Sequence, residues 1–295
     1  MQNKKIGVIG LGMMGVPMAN NLLQANFQVK GFDINPQAKE KFNTKSNFEW
    51  LNNPQEIAKS CQVIILILPD SHIIDQLLWG SNEDGIASHF QKDTLVIDMS
   101  SSKPTNSKIN AERLQNLGFG FIDAPVSGGV KRAIDGSLAI MIGGVEKHIQ
   151  PVMPIFQALG KTIVHVGKAG AGHAVKALNN YVSAAGLLAV SEALVAAEKF
   201  GINPHLANQV FNASSGKNNT TEVKVESFML SETFNSGFAI ALMRKDIQTA
   251  KDFIHEMQSH GSFAKLCFEE WESAEKSLPK GADHTAMFAY IKDKI

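Results

Sequence analysis

The stretch KIGVIGLGMMGVPMANNL, residues 5–22, constrains the fold more than any other. A β-rich run leads into Gly10, Gly12 and Gly15, spaced G-x-G-x-x-G, and a helical pattern follows over Met13 to Gln24. In such a unit the first glycine allows a tight turn. The second lets backbone approach a pyrophosphate, and the third lets helix and strand pack closely. Leu11, Met13 and Met14 complete the turn, and the unpaired N–H groups of the helix start face the phosphates. A tight turn needs glycine in any case, so the spacing alone is weak. Asp33 strengthens it: it ends the next β-rich run, FQVKGFD, 33 − 10 = 23 residues after Gly10. That is where the acid that binds the adenosine ribose is expected. The plain alternative for Asp33 is a turn residue ahead of Asn35-Pro36. A carboxylate there accepts from a free 2′-hydroxyl and repels a 2′-phosphate. Ile34 and Asn35 offer no arginine for such a phosphate, so the expected cofactor is NAD rather than NADP.

The turn does not stand alone. QVIILILP is a nearly continuous apolar run, the mark of a strand covered on both faces. DTLVIDMS, FGFIDAP, SLAIMIGG and KTIVHVG follow, with helical segments between most of them. This alternation predicts a mostly parallel sheet flanked by helices. Past residue 168 the strand signals stop, and helices are expected at roughly 172–200, 204–213, 220–230, 239–258, 262–277 and 284–293. The expected fold is therefore α/β. A Rossmann-type domain spans 1–166, and an all-helical domain for substrate binding and oligomerisation spans 167–295. NASSGKNNTTE, residues 212–222, reads as a polar loop at the rim of a cleft.

Lys plus Arg and Asp plus Glu number 28 each, so the net charge is zero and no electrostatic nucleic-acid partner is expected. The start runs straight into the glycine motif, so no secretory leader is expected. The most apolar run, 181–197, contains Ser183, Ser191 and Glu192, and no membrane span is expected. Cys61 and Cys267 read as separate buried thiols in a reducing cytoplasm. No residue set has metal-ligand spacing.

GAGHAVKALNN, residues 170–180, opens the long apolar run YVSAAGLLAVSEALVAAEKF. Lys176, Asn179 and Asn180 share one helical face at the head of a helix too apolar to stand in water. The plain reading of Lys176 is a surface lysine, and that of Asn180 a helix–helix hydrogen bond. The sharper reading is that this polar face meets substrate. Burial and the positive helix end would lower the lysine's pKa, suiting it to deliver a proton. Asn179 and His173 read as structural. SGG, residues 127–129, offers a hydroxyl and exposed backbone N–H groups, either a small anion nest or a plain turn. Covering so apolar a helix calls for a second subunit, so a homo-oligomer, dimer or tetramer, is expected.

Taken in order, GLGMMGVPMANNL, DAPVSGGVKRAIDGSLAIMIGG, GAGHAVKALNN and FAIALMRKDIQTA resemble the β-hydroxyacid dehydrogenases over essentially the whole chain. That family includes 3-hydroxyisobutyrate dehydrogenase and tartronate semialdehyde (2-hydroxy-3-oxopropionate) reductase. The tail GADHTAMFAYI leans toward the latter branch. The resemblance implies hydride transfer between NAD and a short 3-hydroxy acid or its semialdehyde. It implies that Lys176 is catalytic and that Asn180 orients substrate. It implies that Ser127, Gly128 and Gly129 hold a small carboxylate substrate, and that Leu68 and Pro69 lie along the dinucleotide. It implies that Ser101 stands near the nicotinamide ribose and that Lys245 reaches back to the cofactor. Where several members have asparagine soon after the Leu-Pro pair, this chain has Ile73. Two rival readings are a reductase of another small aldehyde, such as a sulfonate aldehyde, and a non-catalytic cofactor-binding scaffold. Lys176 speaks against the imine-reducing type, and Lys176, Asn180 and SGG together speak against the scaffold.

Overall fold

The computed structural model describes residues 5–42 and 46–294, so the first four residues of the start read above lie outside it. The chain divides into two compact units, Met1–Lys176 and Ala177–Ile295.

The first unit is built on one sheet. Its strands are β1 (Lys5–Ile9), β2 (Gln28–Phe32), β3 (Phe48–Trp50), β4 (Val63–Leu66), β5 (Leu95–Asp98), β6 (Gly120–Asp123), β7 (Val126–Ser127), β8 (Leu138–Gly143) and β9 (Gly160–Gly167). Their order is β3-β2-β1-β4-β5-β6-β8-β7, with β9 on β8. The pairings among β1 to β6 are parallel, while β8 runs antiparallel to β6 and β7. The apolar run of β4 shows why both faces are covered. Val63 and Ile65 enter the core on one side of the sheet, and Ile64 and Leu66 that on the other. β1 lies between β2 and β4, so the strand order reverses there. A crevice opens at the carboxyl ends of strands at such a point.

The second unit is helical. It contains Pro204–Ala213, a π-helical segment Thr220–Met229, Ile240–Glu256, Ser262–Ser277, a 3₁₀ turn His284–Ala286 and Met287–Asp293. Pro204 opens its helix where a missing N–H costs nothing, and the Asn203 side chain accepts from His205 N–H. Trp271, Leu187, Val225 and Ile247 anchor the core. The polar stretch expected as a loop over 212–222 is shorter, because Ala213 ends one helix and Thr220 opens the π-helical segment.

The long helix Ala171–Lys199 begins in the first unit and runs into the second. By length and composition it is apolar enough to cross a membrane, which corrects the expectation that no stretch reaches that standard. As the core helix of a folded chain it has 44% of its apolar window buried inside the protein.

Candidate functional site

Of the residues read as binding cofactor or substrate, those after the strands of the first unit lie at one edge of the sheet. Gly10 follows β1, Asp33 follows β2, Leu68 and Pro69 follow β4, Ser101 follows β5 and Ser127 follows β6. All are at carboxyl ends of strands, at and beside the reversal of strand order, where an open α/β sheet binds its ligand.

Within the turn each glycine has its own reason. Gly10 has φ +98, and a Cβ there would lie 2.2 Å from the Ile67 carbonyl oxygen. A Cβ on Gly15 would lie 1.9 Å from the Gly10 carbonyl oxygen, so the helix sits directly against the turn. Gly12 is different: nothing lies within 4 Å of its absent side chain. Neither turn nor helix contact requires glycine there, so the cleared space fits a ligand lying against bare backbone. The helix Gly15–Gln24 starts at Met14 with no side-chain cap and no acid in its first turn. Its N–H groups remain available to an anion. Met13 is exposed and Leu11 is buried. These residues fit a dinucleotide's pyrophosphate.

Asp33 both faces the site and builds it. Its carboxylate accepts from Leu11 N–H at 2.6 Å and Asn35 N–H at 2.7 Å. It thus holds the middle of the glycine turn to the end of β2. A carboxylate has acceptor capacity beyond two bonds, which leaves room for ribose hydroxyls. Leu68 is fixed by its N–H, which donates to Ser100 Oγ at 2.9 Å. That serine, one place before Ser101, was not singled out in the sequence.

The head of the long helix is built around Asp123, at the end of β6. Its buried carboxylate accepts from Gly170 N–H at 2.7 Å and His173 N–H at 2.9 Å, capping the helix start. The glycine-rich lead-in follows from this crowding: a Cβ on Gly172 would lie 2.9 Å from the carboxylate, and one on Gly143 2.3 Å. His173 is buried beside it, with Nδ1 2.8 Å from Ser107 Oγ and Nε2 3.1 Å from the Ser100 carbonyl oxygen. It is tied into structure, as its plain reading held. Burial pushes the Asp123 carboxyl up, and the His173 side chain and the two capping N–H groups oppose that. Asp98, also buried, accepts from Ser100 N–H and Ser102 Oγ and completes the cluster.

Lys176 follows one turn after this cap and is half-buried. Asn180 is buried, and its amide donates to Asp246 Oδ2 at 2.5 Å while accepting from the Asn179 amide. The bond fixes the Asn180 side chain and leaves one of its two amide hydrogens to donate elsewhere. Asp246 stands in the helix Ile240–Glu256 directly after Lys245. The motif was legible, but this acid's part in it was not. Ser127 ends β7, followed by Gly128 at φ +130 and Gly129 at φ +68, conformations glycine takes without strain. Both glycines are exposed at the sheet edge. Among the described residues, no group of three or more His, Cys, Asp or Glu side chains gathers that could hold a metal ion.

A carboxyl-end crevice, a bare glycine turn and a polar helix face together describe a nucleotide-binding oxidoreductase. Comparison with known proteins makes this specific. Residues 5–167 match the NAD-binding domain of 6-phosphogluconate dehydrogenase. Residues 170–291 match a second model, described as the NAD-binding domain of NADP-dependent 3-hydroxyisobutyrate dehydrogenase. The 2-(hydroxymethyl)glutarate dehydrogenase of Eubacterium barkeri is 37% identical over 83% of this chain and 81% of its own length. The 2-hydroxy-3-oxopropionate reductase of Escherichia coli is 34% identical over 96% of this chain and 95% of its own. The structure of 3-hydroxyisobutyrate dehydrogenase from Mycobacterium tuberculosis with L-serine superimposes with a TM-score of 0.90. It is 28% identical and covers 98% of this chain and 99% of that one. The chain belongs to the β-hydroxyacid dehydrogenase family, NAD-linked oxidoreductases that act on CH–OH groups.

Proposed function

We propose that this chain oxidises a short 3-hydroxy acid to its semialdehyde, or runs the reverse reduction, with NAD. The observation that carries the reading is the polar face of the long helix, with Lys176 half-buried one turn after a capped start and Asn180 buried and fixed by Asp246. When bound, NAD supplies the hydride acceptor or donor. Lys176 takes the hydroxyl proton in oxidation and returns it in reduction. Asn180 donates to the same oxygen with the amide hydrogen that Asp246 leaves unused. Ser127 and the N–H groups of Gly128 and Gly129 hold the substrate carboxylate, which fixes the carbon presented for hydride transfer. Gly10 to Gly15 receive the pyrophosphate and Asp33 the ribose hydroxyls. Leu68, Pro69 and Ser101 line the rest of the cofactor, and Lys245 lends it a cation.

Self-association has its own support. Val182 is 67% exposed and Val175 is also outward on a helix otherwise built for a core, and Phe200, just past the helix end, is 85% exposed. A second copy covering that face would remove apolar surface from water. Two buried thiols, Cys61 and Cys267, suit a reducing cytoplasm.

The test is a substrate panel with both cofactors: 3-hydroxypropanoate, 3-hydroxyisobutyrate, 2-(hydroxymethyl)glutarate and tartronate semialdehyde. Turnover of at least one with NAD supports the reading. Turnover of none, with simple alcohols or aldehydes used instead, overturns it.

A further inference from the structure

Lys224 stands in the π-helical segment Thr220–Met229 and is 9% exposed. Its ammonium meets the Ser183 hydroxyl at 3.2 Å. Among the described residues no carboxylate comes within 4.0 Å of it. Asp283 supplies an attractive field, but its oxygens already accept from Ser236, Thr285 and the N–H groups of Gly237 and Phe238. Burial holds this lysine down at about 8. A buried ammonium with one neutral neighbour is costly to keep. Such a group is a candidate for a ligand that completes it. The backbone around it points the same way, because π-helical turns are rare and concentrate at functional sites.

Its position relative to the proposed chemistry is set by a single helix. Ser183 lies three residues after Asn180 and seven after Lys176, on the same face. At about 1.5 Å per residue, Ser183 stands about 10 Å along the axis from Lys176. Asn218, in the polar loop, lies against Gly186, one turn further on. The face that begins with Lys176 therefore continues past Asn180 to a buried cation and then to a polar rim.

We propose that Lys224 receives a second carboxylate of the substrate, so that the substrate is a hydroxy dicarboxylic acid. This rests on the reading of Lys176 and Asn180 given above. A monocarboxylic 3-hydroxy acid would leave the cation incomplete.

The test compares wild type with Lys224→Met and Lys224→Gln, the second keeping a polar atom for Ser183. Wild type should favour 2-(hydroxymethyl)glutarate over 3-hydroxyisobutyrate by at least about tenfold in kcat/KM. Each variant should lose about tenfold on the dicarboxylate while changing less than about threefold on the monocarboxylate. Equal losses on both substrates, or no wild-type preference, would overturn the proposal. A binding measurement needs no turnover: glutarate should raise the Tm of wild type more than that of either variant, with butyrate as the control. An equal rise in wild type and variants also overturns it. If glutarate discriminates while wild type oxidises no hydroxy acid, the anion site stands and the dehydrogenase reading falls.

Discussion

Replacing Asp33 separates two roles that one carboxylate carries. Its oxygens hold Leu11 N–H at 2.6 Å and Asn35 N–H at 2.7 Å, so it shapes the glycine turn. It also stands where the adenosine ribose is expected. A unit of phosphate charge about 5 Å from it, at an effective dielectric of about 20, is repelled by about 3 kcal/mol. That predicts a preference for NAD over NADP on the order of a hundredfold or more in kcat/KM. The family model for the second unit is described as NADP-dependent, so the preference is a real test of the local charge. Asp33→Asn removes the charge but keeps one oxygen for the turn. Its NAD efficiency should fall, because a lost backbone contact costs about 1 kcal/mol. Its NADP efficiency should rise in absolute terms, since the repulsion is gone. The assay is initial-rate kinetics with each cofactor varied at saturating substrate, followed through the reduced nicotinamide. If wild type uses NADP as well as NAD, the electrostatic argument is wrong. If Asp33→Asn lowers both cofactors by the same factor, Asp33 acts only as scaffold for the turn.

Lys176→Ala should fold and bind NAD yet lose about 10²–10⁴ in kcat, and retention of more than about a tenth would reassign the proton carrier. The methyl ester of the best hydroxy acid should lose at least about tenfold in kcat/KM, because charge-assisted bonds are worth about 1.5–3 kcal/mol. Equal turnover of acid and ester would remove the carboxylate anchor at Ser127. Gly129→Val should weaken the same anchor through backbone strain rather than by filling space. Nothing lies within 4 Å of its absent Cβ, but φ +68 costs a side-chain-bearing residue about 1–2 kcal/mol. Lys224→Met should be more stable than wild type at neutral pH. The lysine falls from its ordinary 10.5 to about 8 on folding, so between those values the unfolded chain binds more protons. Wild type then gains on the variant as pH rises from about 8 to 10.5, by about 3 kcal/mol in all at about 1.4 kcal/mol per pH unit. Denaturant melts of both proteins across that range check it. A gap independent of pH would mean that Lys224 is not buried as a charge.

The sequence exposes features that repeat along the chain and hides those made by closure. β-rich runs announced β4, β5, β6 and β8, whereas β3 and β7, three and two residues long, carry too little pattern to read. The glycine turn and the Lys176–Asn180 face were legible because the residues of each motif lie close together in sequence. Asp123 caps residues 47 and 50 positions away, so nothing in its own neighbourhood marks the role. Asp246 is 66 positions from Asn180. Lys224 reads as an ordinary charge in TEVKVES, and only the burial of its ammonium distinguishes it. The π-helical backbone around it has no signature in residue type or period. The two glycines at 170 and 172 were visible as a cluster, but their reason, a carboxylate and carbonyl oxygens where side chains would stand, belongs to the fold.

That reason also ties together parts of the site that look separate. Asp123 ends β6, and the chain reaches Ser127 four residues later. The same carboxylate fixes the first turn of the long helix through Gly170 and His173, three residues before Lys176. One strand end therefore sets both the proposed carboxylate anchor and the direction of the helix carrying the proposed proton carrier. His173 braces the arrangement by reaching Ser107 and the Ser100 carbonyl oxygen, while Ser100 Oγ accepts the Leu68 N–H beside the cofactor edge. A catalytic lysine on a flexible stem is useful only if its backbone is held, because misplacement by about 1 Å can cost on the order of a hundredfold in rate. Here the holding is done by groups removed from water, whose hydrogen bonds do not compete with solvent.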